Sequence, residues 1–106
     1  MLATAFSVAT TAVAIEQEEI ERRVNAKQIQ LVSCYEDAQA RNENLPKGKI
    51  VTRYTIEEDG TVSSAKIVRN DLRDTQLGEC VRQVFLSLDY GAQDKKTNVT
   101  YPLTFE

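Results

Sequence analysis

The sequence predicts an α+β fold in which two helices pack on one face of a three-stranded antiparallel sheet, in the order helix, strand, strand, helix, strand. Three observations carry this expectation. Glu16 to Arg41 runs without Gly or Pro and repeats apolar residues at helical spacing. Two alternating segments flank Asp59-Gly60, a strong hairpin signal because Gly accepts a positive φ. A second helical stripe then leads into a last alternating segment. Two amphipathic helices and a sheet with one apolar face bury those surfaces most economically as two layers. The chain has 106 residues, enough for one domain with one core.

In the first helix, Ile20, Val24, Leu31, Cys34, Tyr35 and Ala38 share a face, and Glu16, Glu18, Glu19 and Glu21 crowd the positive end of the helix dipole. Pro46 and Gly48 in the run Asn42 to Gly48 stop it. Lys49 to Ile56 is the first strand, with Ile50, Thr52, Tyr54 and Ile56 on one side. Thr61 to Arg69 returns with Val62, Ala65, Ile67 and Val68, and its imperfect alternation predicts a bulge near Ser63-Ser64. Asn70 to Asp74 is a polar connection with Asp74 as helix cap. Leu77, Cys80, Val81, Val84, Phe85 and Leu88 form the second helix, expected through Asp89, where Gly78 offers close approach to the first helix. Gly91 to Lys96 is a loop. The last strand, Thr97 to Glu106, points Val99, Tyr101, Leu103 and Phe105 one way. Pro102 removes a ladder donor, so this strand is expected at an edge or with a bulge. Lys49, Arg53, Thr55, Thr100, Thr104 and Lys66 or Arg69 are left for the solvent face.

Composition narrows the chemistry. Without histidine there is no Ser-His-Asp or Cys-His nucleophile system, and two cysteines cannot fill a zinc shell. A formal net charge of −3 argues against nucleic-acid binding, which needs a concentrated positive surface. Glu36-Asp37 and Glu57-Glu58-Asp59 are candidate acid–base groups, and Glu57-Glu58-Asp59 at the turn is also a candidate cation site, but no apolar pocket or nucleophile is expected beside them. No catalytic, cofactor or metal residue is assigned, and no small-molecule substrate is expected.

Met1 to Ile15 contains no charged residue and is too short to span a membrane alone. Three readings fit this leader: the remnant of a signal peptide or anchor, with Ala12-Val13-Ala14 resembling a cleavage site; a disordered segment; or an extra element packed on the domain spanning 16–106. Cys34 and Cys80 lie on the apolar faces of their helices. Two buried thiols and a disulfide fit that placement equally.

A resemblance ties these residues together. Leu31-x-x-Cys34-Tyr35-Glu36, then Tyr54-x-Ile56-x-x-Asp59-Gly60-x-Val62, then Cys80-Val81, then Val99-x-Tyr101-Pro102-Leu103-x-Phe105 resembles the AgmX/PglI-type C-terminal domain, which is similar to the C-terminal domain of TonB energy transducers. The match covers about residues 16 to 106. Two departures stand out: Tyr90-Gly91 where the family has an aromatic followed by Pro, and Leu86 to Asp89 without the usual basic residues. The resemblance implies a periplasmic or envelope location, a disulfide between Cys34 and Cys80, and no enzymatic activity. Such domains end multidomain envelope proteins, including gliding-motility machinery, and TonB relatives pass force from an inner-membrane motor to outer-membrane proteins.

The function expected from this is a periplasmic protein-interaction module that binds a periplasmic or outer-membrane protein by strand addition at a sheet edge. The candidate edge is the last strand: Asn98, Val99, Thr100, Tyr101, Pro102, Leu103, Thr104 and Phe105. The alternative is a free-standing secreted structural or inhibitor-like protein, either on its own or as an edge-paired homodimer.

Overall fold

The computed structural model describes residues 17–105. The leader at 1–15 lies outside the described residues. The elements are α1 (Gln17–Asn25), α2 (Gln28–Arg41), β1 (Gly48–Ile56), β2 (Val62–Asn70), α3 (Thr75–Leu86) and β3 (Thr97–Phe105). The three strands form one antiparallel sheet in the order β2-β1-β3, with the helices over one face. This is the α+β architecture that the sequence predicts, with one helix more.

The additional helix comes from a break in the expected first one. Lys27 sits at φ −101°, ψ 14°, outside the helical well. Its N–H bonds Val24 O at 2.9 Å, a tightened turn, before Leu31 N–H resumes on Lys27 O at 3.0 Å. No Gly or Pro marks the break, so local propensity does not set it. Val24 is buried beside Leu31, Val84, Phe85 and Leu88, and Arg23 Nη1 donates to Asp89 O at 2.9 Å. α2 buries Leu31, Cys34 and Ala38 and packs along α3.

Ile50, Tyr54 and Ile56 of β1 are essentially inaccessible, as alternation requires of a strand under a helical layer. Phe85 stacks between Tyr54 and Tyr101, at ring distances of 5.0 and 5.9 Å. Thr52 is equally buried, and among the described residues its Oγ1 has no hydrogen-bond partner. A hydroxyl taken from water without compensation costs on the order of 1 kcal/mol or more. Thr52→Val, which keeps the shape and drops the hydroxyl, is therefore expected to raise stability by about 1 kcal/mol. A urea titration checks this through a higher midpoint at unchanged slope.

β2 departs from regular pairing twice. Ser63 is skipped between the Ile56–Val62 and Thr55–Ser64 pairs, the bulge expected there, and Val68 is skipped between Thr52–Ile67 and Val51–Arg69. The second bulge turns Val68 outward, where it is 41% exposed, so it does not join the core face. Asn70 ends the strand. Its Oδ1 accepts from the N–H groups of Leu72 and Arg73, both at 3.1 Å, and its Nδ2 donates to Asp74 O at 3.0 Å. That turn drives Leu72 into the core despite its polar neighbours.

Asp74 caps α3 as expected, accepting from Leu77 N–H at 2.9 Å. The same Oδ1 takes Arg41 Nη2 at 2.9 Å, tying the end of α2 to the start of α3. The Leu77 bond and then Arg41 hold the carboxyl below its usual range. α3 ends at Leu86, short of the expected Asp89, because Ser87 Oγ donates back to Val84 O at 2.6 Å and closes the last turn. Gly78 does not face the first helix. It packs on β2, where an added Cβ would meet Asn70 Nδ2 at 3.1 Å and Ile67 at 3.8 Å.

Cys34 and Cys80 are joined by a disulfide across the α2–α3 seam, with Cα atoms 5.8 Å apart. Among the described residues, no helix is long and apolar enough to cross a membrane.

Candidate functional site: the free edge of the sheet

A three-stranded sheet has two edges, and they differ. β2 carries two bulges, and its first turn is occupied: Thr61 bridges Asp89, and Tyr90 N–H bonds Gly60 O at 2.9 Å. Bulges and covering segments blunt an edge against further pairing. β3 is nine residues long and pairs with β1 without a register shift from Phe105 to Thr97. Pro102 is thus accommodated by edge position and not by a bulge.

Which backbone groups β3 presents follows from β1. Lys49 O accepts from Asp71 N–H at 2.9 Å, and Lys49 N–H donates to Asp71 Oδ2 at 3.0 Å, so Lys49 directs both groups away from β3. At the other end of β1, Glu57 N–H bonds Thr61 O at 2.8 Å, on the same side. Directions alternate along an antiparallel strand. Ile50, Thr52 and Tyr54 therefore face β3 and bond their partners Leu103, Tyr101 and Val99. The residues between, Asn98, Thr100, Pro102 and Thr104, turn their backbone groups to the open edge. Pro102 conforms, since it has no N–H to offer β1. The edge thus displays N–H donors at Asn98, Thr100 and Thr104 and carbonyl acceptors at all four positions. Sequence alternation suggested the strand, but this polarity needed the bonding pattern of β1.

The side chains divide in the opposite sense. Asn98, Thr100, Pro102 and Thr104 are exposed on the open face of the sheet, near Lys49 and Arg53. Val99, Tyr101 and Leu103 are half-buried under the helices, and Phe105 is buried against Tyr35 at a ring distance of 5.2 Å. Two concavities follow this inner side of the edge. One, of 540 Å³, lies between residues 97–102 and Gln17, Ile20 and Glu21 of α1. The other, of 280 Å³, lies between residues 103–105 and the α1–α2 corner, where Leu31, Val32 and Tyr35 contribute apolar surface. The helix break that the sequence does not signal is what lets α1 and α2 each flank half of β3.

The carboxylates considered as acid–base groups do not converge. Glu36 and Asp37 are exposed on α2. Asp59 accepts from Thr61 N–H and Oγ1 at 3.0 and 2.6 Å, which lowers its pKa and fixes the hairpin turn. Glu57 bonds Ser63 and lies 3.9 Å from Lys96. Among the described residues no group of three or more His, Cys, Asp or Glu is placed to hold a metal ion.

No protein-family model matches the chain. No curated protein matches it in sequence. Among solved structures it is similar to the solution structure of the Helicobacter pylori TonB C-terminal domain, at 12% identity and a TM-score of 0.51, over 94% of this chain and 95% of that one. At that identity the likeness is one of fold.

Proposed function

We propose that the domain is a non-catalytic protein-interaction module of a cell-envelope machine, of the TonB-like energy-transduction or gliding-motility type, and that it takes an extended segment of a periplasmic or outer-membrane protein as a fourth strand on β3. The observation that carries this is the unbulged β3 edge, which no described residue covers, with its three outward donors and four outward acceptors. Strand addition uses these main-chain groups for affinity. The TonB-like fold and the sequence resemblance to AgmX/PglI-type domains support the same reading. The Cys34–Cys80 disulfide supports an oxidising compartment such as the periplasm.

The edge polarity supplies the test. Thr100→Pro removes an outward N–H and leaves the β1 ladder whole, whereas Tyr101→Pro removes a bond to β1. With a bound outer-membrane protein segment, Thr100→Pro is expected to weaken binding at least tenfold while the circular dichroism spectrum and melting temperature stay close to wild type. Unchanged affinity in the folded variant defeats strand addition at β3. A constitutive, concentration-independent dimer in size-exclusion runs instead supports the edge-paired homodimer.

A further inference from the structure

Resting on strand addition at β3, we infer that the two concavities inside this edge read side chains: the partner strand carries a cationic residue over α1 and an apolar residue over the α1–α2 corner, four residues apart. In an added strand, residues opposite Val99, Tyr101, Leu103 and Phe105 point toward the helices, because directly paired residues share a face. The concavity over residues 97–102 and the one over 103–105 are therefore both reached by the same inward-facing set. Their centres are separated by about four residues, or about 13 Å of extended chain.

Chemistry distinguishes the two. Among the described residues Glu21 is the one charged residue lining the first concavity, beside the Gln17 amide, Ile20 and Tyr101. Its carboxylate accepts only from Gln17 Nε2, at 3.3 Å, and among the described residues no Lys or Arg pairs with it. The neighbouring Glu19, by contrast, holds both Arg22 and Arg23, at 2.7 and 2.6 Å. The arginines of α1 are thus committed elsewhere, and Glu21 faces the edge alone. Its field reaches Tyr101, whose hydroxyl pKa is raised by burial and then by this carboxylate. A cationic side chain entering here gains a charge-assisted bond that a neutral or acidic one does not. The second concavity offers Val24, Leu31, Val32, Tyr35 and Leu103, and Val32 remains 44% exposed there. An apolar side chain there removes that surface from water.

The probes are fluorescein-labelled ten-residue peptides of alternating Thr and Val, with inward Lys and Leu four residues apart, made in both orders to cover parallel and antiparallel addition. The full chain is titrated by anisotropy, and β3 amides are followed by NMR. The better order is expected to shift Asn98, Thr100 and Thr104 amides and to bind at least tenfold more tightly than its Lys→Glu and Leu→Asp versions. Glu21→Lys, on the exposed side of α1, is expected to reverse the preference, favouring the Glu peptide. If the amides shift but neither peptide charge nor Glu21→Lys matters, the side-chain inference falls and strand addition stands. If no peptide shifts these amides, both fall. Binding that emerges only after deletion of residues 1–15, or only on dissociating a dimer, assigns the edge to that segment or to a second copy and overturns the inference.

Discussion

Replacing both cysteines with alanine is expected to lower the stability of the domain by about 4 kcal/mol. Cys34 and Cys80 are 46 residues apart, and closing a loop of that length removes about this much chain entropy from the unfolded state. For a domain of this size, 1 kcal/mol moves the melting temperature by roughly 4–8 °C, so a fall of about 20 °C is expected. Differential scanning calorimetry of the double variant measures it. Wild-type protein in excess reductant should melt near the variant, which separates loss of the bond from loss of sulfur packing. A shift below about 1 kcal/mol in both would mean that helix packing alone holds the seam. The consequence reaches function. Small domains have only about 5–15 kcal/mol in total, so losing 4 leaves this one marginal at 37 °C. A loss of that size would fit the proposed compartment, one that keeps thiols oxidised.

The sequence revealed this fold wherever one residue pattern had one physical meaning. Ile50, Thr52, Tyr54 and Ile56 alternate and are all buried, and Asp59-Gly60 turns as a hairpin must. Asp74 caps α3, because a carboxylate before an apolar stripe has few other uses for its acceptor. What stayed hidden depended on contacts between distant segments. The break at Lys27 carries no Gly or Pro and shows only in the backbone, where Lys27 leaves the helical well. Leu72, alone among polar residues, was readable only as part of a loop until Asn70 folded that loop inward. Tyr90, at the point of departure from the resembled family, is buried with its hydroxyl 2.8 Å from that of Tyr54. The candidate edge was legible as a strand through its alternation and through Pro102. Its outward donors and its concavities were not, since they depend on the polarity of β1 and on the bend between α1 and α2. Gly78 shows the limit from the other side. A small residue in a helix announces close approach, but not to whom, and here the neighbour is β2.

Gly60→Ala is expected to cost about 3 kcal/mol, far more than one methyl group at a hairpin tip suggests. Two costs add. Gly60 sits at φ +90°, a region that L side chains enter at roughly 1–2 kcal/mol. A Cβ there would also collide with the backbone of Gly91, and overpacking against fixed backbone costs about 1–3 kcal/mol. Gly91 cannot retreat freely. Tyr90 N–H is held on Gly60 O at 2.9 Å, and Gln93 N–H on Glu58 O at 2.7 Å, so the whole 89–93 segment is laced along the turn. Pushing it away pulls the Tyr90 hydroxyl from that of Tyr54 inside the core. Gly91→Ala is the internal control: its φ is +72°, yet an added Cβ meets nothing within 4 Å, so only the conformational cost of about 1 kcal/mol is expected. Urea unfolding of the two variants isolates the collision as their difference, and near-ultraviolet circular dichroism should show a disturbed tyrosine environment in Gly60→Ala alone. Equal losses would mean that the hairpin tip and the 89–93 segment separate at little cost. The tight approach is then incidental, and Tyr90 is held by its own burial, not by the turn that the Asp59-Gly60 pair creates.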